Sequence, residues 1–272
     1  MIIIIELIEN GNYIWLAFLA TLLTYFLTML GASSVFLFKK VNEKIMSFMF
    51  GFGAGVMIAA SFFSLILPAL NQLENSNTKN SWIIIISGFL CGGLFILLID
   101  LLMPHIHINA IKSEGIKTKI SKKILLVLSI TLHNIPEGMA IGVAFASAHM
   151  NIPGSTYMAA LMLAIGIGLQ NIPEGMAVSL PLRTEGMSRR KAFFYGQASG
   201  IVEPISGILG AVLVSFVKEL LPFVLCFASG AMIYVVAEEL IPSGKTNEKN
   251  KFGTIGVIIG FAIMMALDIA LS

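Results

Sequence analysis

The chain has 272 residues, 57% of them hydrophobic and only 12% charged, with a formal net charge of +2. Such a composition lies outside the range of water-soluble domains and inside that of membrane proteins. A slight basic excess sorted into alternate loops excludes a nucleic-acid binder, and two cysteines, Cys91 and Cys226, alone in apolar runs, exclude a disulfide framework or a thiolate cluster.

A helix needs about 20 mostly apolar residues to cross roughly 30 Å of hydrocarbon. Eight such segments follow one another at 13–38, 45–70, 82–104, 122–149, 155–182, 189–217, 222–242 and 252–271. The residues before them, Met1 to Asn10, carry Glu6 and Glu9 and no basic stretch, which argues against a cleaved secretory signal. The connections are short. The expected fold is therefore all-α and integral to the membrane, a single transmembrane domain over 1–272 without an appended soluble module. Basic residues cluster in alternate connections: Lys39, Lys40 and Lys44; Lys112, Lys117, Lys119, Lys122 and Lys123; Arg183, Arg189, Arg190 and Lys191; Lys245, Lys249 and Lys251. Only Lys79 and Lys218 fall on the other side. By the positive-inside rule both termini lie outside and the 105–121 loop is cytoplasmic.

Spans four and five carry the same seven residues, Asn-Ile-Pro-Glu-Gly-Met-Ala, at Asn134 to Ala140 and at Asn171 to Ala177. Because the two spans cross in opposite directions, the copies form an inverted pair, and at ~1.5 Å rise per residue both reach the midplane. Substrate sites of transporters built from inverted repeats lie there, on interrupted helices. A weaker echo joins Phe63-Ser-Leu-Ile-Leu-Pro68 in span two to Ala237-Glu-Glu-Leu-Ile-Pro242 in span seven, again with opposite travel. Spans one to three and six to eight then read as inverted halves flanking the central pair, a 3+2+3 arrangement. The pairs Gly88-xxx-Gly92, Gly196-xxx-Gly200 and Gly256-xxx-Gly260, and the run Gly51-x-Gly53-x-Gly55, read as close helix packing.

Charge sign narrows the chemistry. The ionisable residues within the spans are Asp100, His133, Glu137, Glu174, Glu203, Glu238, Glu239 and Asp268, and no Lys or Arg lies well inside any span. A carboxylate in hydrocarbon is costly and marks a functional site, so these call for a cation from outside the chain. Residues four apart share a helix face, which pairs His133 with Glu137 and Gln170 with Glu174, and sets Asn134 and Asn171 at the edge of that face. Pro136 and Pro173 lack an amide hydrogen and so free the carbonyls of Leu132 and Leu169. Imidazole, carboxylate and amide oxygens at this spacing are ligands for a borderline divalent ion such as Zn²⁺, Fe²⁺ or Mn²⁺. Met57, mid-depth in span two, offers a thioether or is a packing side chain. Asp100, His105 and His107, with Glu238 and Glu239, make an inner cluster suited to metal release, and His105 and His107 read equally well as solvated loop residues. Asp268, alone near the end of span eight, reads as an interfacial residue, and His149 as part of an outer loop. Protons or a monovalent cation would also satisfy the carboxylates, although His133 beside Glu137 argues for a metal. An intramembrane metalloprotease would need a His-Glu-x-x-His signature, which is missing.

His133-Asn-Ile-Pro-Glu-Gly138, Gln170-Asn-Ile-Pro-Glu-Gly175 and Glu203-Pro204 resemble the ZIP family of divalent metal transporters, in particular its prokaryotic GufA-like branch, over nearly the whole chain. The resemblance implies a 3+2+3 fold in the cell (inner) membrane and uptake of Zn²⁺, or of Fe²⁺, Mn²⁺, Co²⁺ or Cd²⁺, as transported substrate, with no further cofactor. It implies a first metal position at His133, Glu137, Gln170 and Glu174 with Met57 alongside. A second position would use Asn134, Glu137, Asn171, Glu174 and Glu203. The release path would be Asp100, His105, His107 and Glu239, and Ser64 would lie toward the entrance. Two departures stand out. Asn171 and Gln170 occupy places where relatives can carry a carboxylate or a histidine, so the second position has less charge to offset two dications. The loop between spans three and four holds only two histidines. The partners expected are divalent ions and the lipid bilayer; monomer and homodimer are both compatible with the sequence.

Overall fold

The computed structural model describes residues 12–38, 42–76, 79–102, 122–152, 155–184, 186–216, 220–245 and 251–271. Among the described residues the regular structure is entirely helical, in eight rods: α1 (Tyr13–Phe36), α2 (Glu43–Asn75), α3 (Ser81–Leu102), α4 (Lys122–His149), α5 (Tyr157–Thr184), α6 (Arg189–Val214), α7 (Leu221–Gly244) and α8 (Phe252–Leu271). All but α4 are long and apolar enough to cross a membrane on their described residues. The remaining helix, α4, has the length at 28 residues and packs against α1, α5, α6 and α7. Polar caps decide where several rods start. The side chains of Asn12, Asn42 and Ser188 accept from the backbone N–H groups of Trp15, Lys44 and Lys191 at 3.3, 2.8 and 3.4 Å, satisfying amides that a first helical turn leaves without partners. The expected spans coincide with the rods to within a few residues, the largest difference being α2, which runs on to Asn75.

Helix packing carries the inverted symmetry. α2 packs most extensively on α8 and α3 on α7, while α1 packs on α5 and α4 on α6. Exchanging α1 with α6, α2 with α7, α3 with α8 and α4 with α5 turns each of these pairings into another, as a 3+2+3 inverted repeat requires. The result is two sets of helices, α2, α3, α7, α8 and α1, α4, α5, α6, with α2 touching α5 and α7 touching α4 across the boundary. The hydrophobic effect gives no drive between helices in lipid, so their association rests on close van der Waals packing, which small residues permit. A Cβ on Gly92 would lie 1.9 Å from the backbone oxygen of Phe227, and one on Gly260 2.1 Å from that of Phe52. The expected packing role of these glycines is thus met by backbone touching backbone. Outside, large apolar side chains such as Leu90, Leu94 and Leu98 on α3 and Ile258 on α8 are exposed, a surface suited to hydrocarbon and not to water.

The echo between spans two and seven has a structural counterpart. Each rod widens into one π-helical stretch, Ser61–Ile66 in α2 and Val236–Leu240 in α7, just before Pro68 and Pro242. A proline ring inside a helix clashes with the carbonyl four residues earlier and donates no hydrogen bond; widening the turn relieves both. Counted back from the two prolines, Ser64 corresponds to Glu238 and Leu65 to Glu239. Ser64 and Glu239 are both buried, one on each stretch.

Candidate metal site

The glycine after each motif glutamate determines what the motif meets. A Cβ on Gly138 would fall 2.4 Å from the backbone oxygen of Glu203 in α6, and a Cβ on Gly175 would fall 2.1 Å from that of Thr28 in α1. With glycine at both places α4 closes onto α6 and α5 onto α1. Glu203 and the α1 threonines are thereby brought against the carboxylates of the central pair.

Side chains from several helices converge there. His133, Asn134, Glu137, Gln170, Asn171, Glu174, Glu203 and Met57 are all buried, none more than 5% exposed. The Gln170 amide nitrogen donates to Oε1 of Glu137 at 2.6 Å and lies 3.5 Å from Oδ1 of Asn171. Asn171 donates to Oε2 of Glu203 at 2.8 Å and to the Thr24 carbonyl at 3.3 Å. Thr28 donates its hydroxyl to Oε1 of Glu203 at 3.2 Å, whereas the Thr24 hydroxyl donates to the Thr21 carbonyl at 2.8 Å. On the other copy, Asn134 donates to the Ser199 carbonyl at 3.1 Å. Glu137 lies within electrostatic reach of Glu174 and Glu203, and Glu174 within reach of Glu239. Gly53 of α2 abuts Gln170, where a Cβ would sit 3.3 Å from Oε1. Met57, one turn on, shares that helix face.

Two facts define the chemistry of this place. Among the described residues no Lys or Arg is buried, so no side-chain cation offsets Glu137, Glu174 and Glu203. Second, Oδ1 of Asn134, Oε2 of Glu137, Oε1 of Gln170 and Oε2 of Glu174 are buried with no hydrogen-bond partner among the described residues. Each such atom costs about 1–3 kcal/mol in a folded interior, and a cation satisfies several at once. The described residues nevertheless contain no group of three His, Cys, Asp or Glu side chains arranged to hold a metal as they stand. The reason is visible in the contacts: the amides of Gln170 and Asn171 sit between the carboxylates and hydrogen-bond to them.

Other expected residues lie elsewhere. Asp100 on α3 accepts a hydrogen bond from the Tyr234 hydroxyl of α7 at 2.8 Å, and Glu239 is buried on the widened turn of α7. His105 and His107 lie outside the described residues. Ser64 donates to Oδ1 of Asp268 at 2.8 Å, and the two line a cavity of about 220 Å³ with Asn71, Ser155 and Thr156. Asp268 is therefore not the isolated interfacial residue expected from sequence: it is buried, bonded and on a cavity wall. His149 ends α4 instead of lying in a loop, stacking on Tyr13 and meeting the Tyr157 hydroxyl. Thr24 and Thr28 were not singled out by sequence. Their signal was a threonine stripe at 21, 24 and 28 along α1, whose purpose depends on Glu203, 175 residues from Thr28.

The sequence model of the ZIP zinc transporter family matches residues 109–268, more than half of the chain and all of the central motifs. The chain belongs to the ZIP family. Among ZIP relatives, it is 37% identical to zinc transporter ZIP11 of Xenopus tropicalis, over 97% of this chain and 100% of the relative. It is also 37% identical to zinc transporter GufA of Myxococcus xanthus, over 93% of this chain and 97% of GufA. Zinc transporter ZIPB of Bordetella bronchiseptica is 36% identical over 97% of this chain and 84% of its own length. These similarities extend over the whole transmembrane region, so the multi-pass architecture described above is that of a ZIP transporter.

Proposed function

We propose that this ZIP protein, a single transport domain, carries a divalent transition metal, zinc foremost, across the cell (inner) membrane of a prokaryote into the cytoplasm. The observation that carries the reading is the buried convergence of Glu137, Gln170, Asn171 and Glu203, with four unpartnered oxygens around it and no internal cation among the described residues. Metal would enter past Ser64 and Asp268, exchange water for His133, Glu137, Gln170 and Glu174, and leave past Glu239 and Asp100. The lysine and arginine bias gives the orientation, with both termini outside, and the inward direction is carried over from the ZIP resemblance. At the site the ion must displace the Gln170 N–H from Glu137, so the amide turns its oxygen inward as the carboxylate is released. Iron, manganese, cobalt and cadmium are further candidate substrates, because the affinity order follows the metal more than the site and selectivity is set by geometry. The protein works as a carrier, not an enzyme, the two sets of helices moving relative to one another.

Uptake of radioactive zinc by proteoliposomes tests this. His133→Ala and Glu137→Ala should each bring zinc uptake down to the level of empty liposomes, and sodium should not be taken up by the native protein. Unchanged zinc uptake in Glu137→Ala would sink the central site, and sodium flux would favour the monovalent alternative.

A further inference from the structure

We infer that the central site takes one divalent ion, and that a clamp of Asn171 and Thr28 on Glu203 fills the place of a second. This rests on the metal-carrying reading above and sharpens it. The two motif asparagines have identical neighbours in sequence and opposite roles in space. Asn134 gives its nitrogen to the Ser199 carbonyl at 3.1 Å, which leaves Oδ1 buried without a partner and free to bind a cation. Asn171 gives its nitrogen to Oε2 of Glu203 at 2.8 Å and to the Thr24 carbonyl at 3.3 Å.

That orientation is dictated by chemistry. Both neighbours are acceptors only: a carboxylate and a backbone carbonyl, neither of which can meet an amide oxygen favourably. The nitrogen must face them, and its two hydrogens are both used. A second ion bridging position 171 and Glu203 would need the amide oxygen where the N–H group stands, and Asn171, unlike Gln170, whose nitrogen meets only side chains, would also have to leave a backbone carbonyl. The Glu203 oxygens are engaged from both sides, Oε1 by Thr28 at 3.2 Å and Oε2 by Asn171. By contrast Glu137 and Glu174 each keep one oxygen unpartnered. Two of the three carboxylates are therefore open to metal and the third is closed by neutral donors.

Charge agrees. One dication among three carboxylates leaves a single negative charge, which the donors around Glu203 stabilise as charge-assisted hydrogen bonds. Among these three carboxylates two dications would leave a net positive charge, with none at position 171 to balance it and Glu239 of α7 within reach of Glu174 alone. The amide of Asn171 thus supplies to Glu203 the positive partial charge that a second ion would have supplied.

The experiment is X-ray absorption at the zinc edge on the detergent-purified, zinc-loaded full chain, with zinc content measured on the same samples. Carboxylate-bridged metal pairs show a metal–metal shell at roughly 3.5–4 Å. The native protein should lack that shell. Asn171→Asp, which replaces only the amide by a carboxylate, should acquire it and bind one more zinc per chain than the native protein. A metal–metal shell in the native protein overturns the inference whatever the variant does, and so does a folded Asn171→Asp that gains neither shell nor ion. Native protein that binds no zinc and transports none would strike at the underlying metal-carrying reading instead.

Discussion

Asp268 shows how much a residue's meaning depends on its partner. In sequence it is one acid near the end of an apolar span, equally at home at a membrane surface. In the fold it accepts from Ser64 on α2, keeps Oδ2 without a partner among the described residues, and lines the cavity beside α5. Asp268→Asn keeps the size and an acceptor for Ser64 while removing the charge. Field focusing by a charged cleft raises capture rates by roughly tenfold or more, so this variant should raise the KM for zinc uptake by about that factor with little change in the maximal rate. An unchanged KM would take Asp268 off the entrance path. The same logic separates what was legible at this scale from what was not. His133, Glu137, Glu174 and Glu203 announce themselves because ionisable groups in apolar spans are costly. Thr24 and Thr28 do not, because threonine in a membrane helix ordinarily satisfies its hydroxyl on its own backbone, as Thr21 does on Ala17 at 2.7 Å.

The rods themselves were readable from apolar length, and their inverted relation from the repeated motif. What composition hides is how neighbouring rods touch and where they widen. The π-helical stretches at Ser61–Ile66 and Val236–Leu240 leave only a proline as their trace. The motif glycines show the consequence of contact most directly. Gly138→Ala and Gly175→Ala each place a methyl group 2.1–2.4 Å from atoms of the facing helix, including backbone oxygens that cannot step aside. Overpacking costs about 1–3 kcal/mol even where side chains can adjust, so both variants should melt several degrees lower in detergent, or fail to assemble, and lose uptake. Gly93→Ala is the contrasting case, since the nearest atom to its new methyl group lies 3.6 Å away. It should leave melting temperature and uptake near native, and a loss equal to that of Gly175→Ala would mean that helix propensity, not close approach, governs these positions.

At the scale of the whole molecule, the site's location is its most informative property. Glu137, Gln170, Asn171 and Glu203 all belong to the α1, α4, α5, α6 set, whereas Gly53, Met57 and Glu239 reach toward them from the α2, α3, α7, α8 set. A site held by one set and walled by the other opens to either side when the sets shift, without breaking the helix pairs inside each. That division could not be read from sequence, because it depends on which helices pack together and not on where each begins. It also makes a direct test. Val56 of α2 and Gly166 of α5 face each other across the boundary, a Cβ on Gly166 lying 3.3 Å from Cγ1 of Val56 and 2.6 Å from Sδ of Met264, whose flexible side chain has to shift aside; paired cysteines there come within the reach of a disulfide. Oxidising the double variant Val56→Cys, Gly166→Cys in proteoliposomes should stop zinc uptake, and reductant should restore it. If cross-linking α2 to α5 left transport intact, the two sets would not move against one another and the metal would have to pass through a pore between fixed helices.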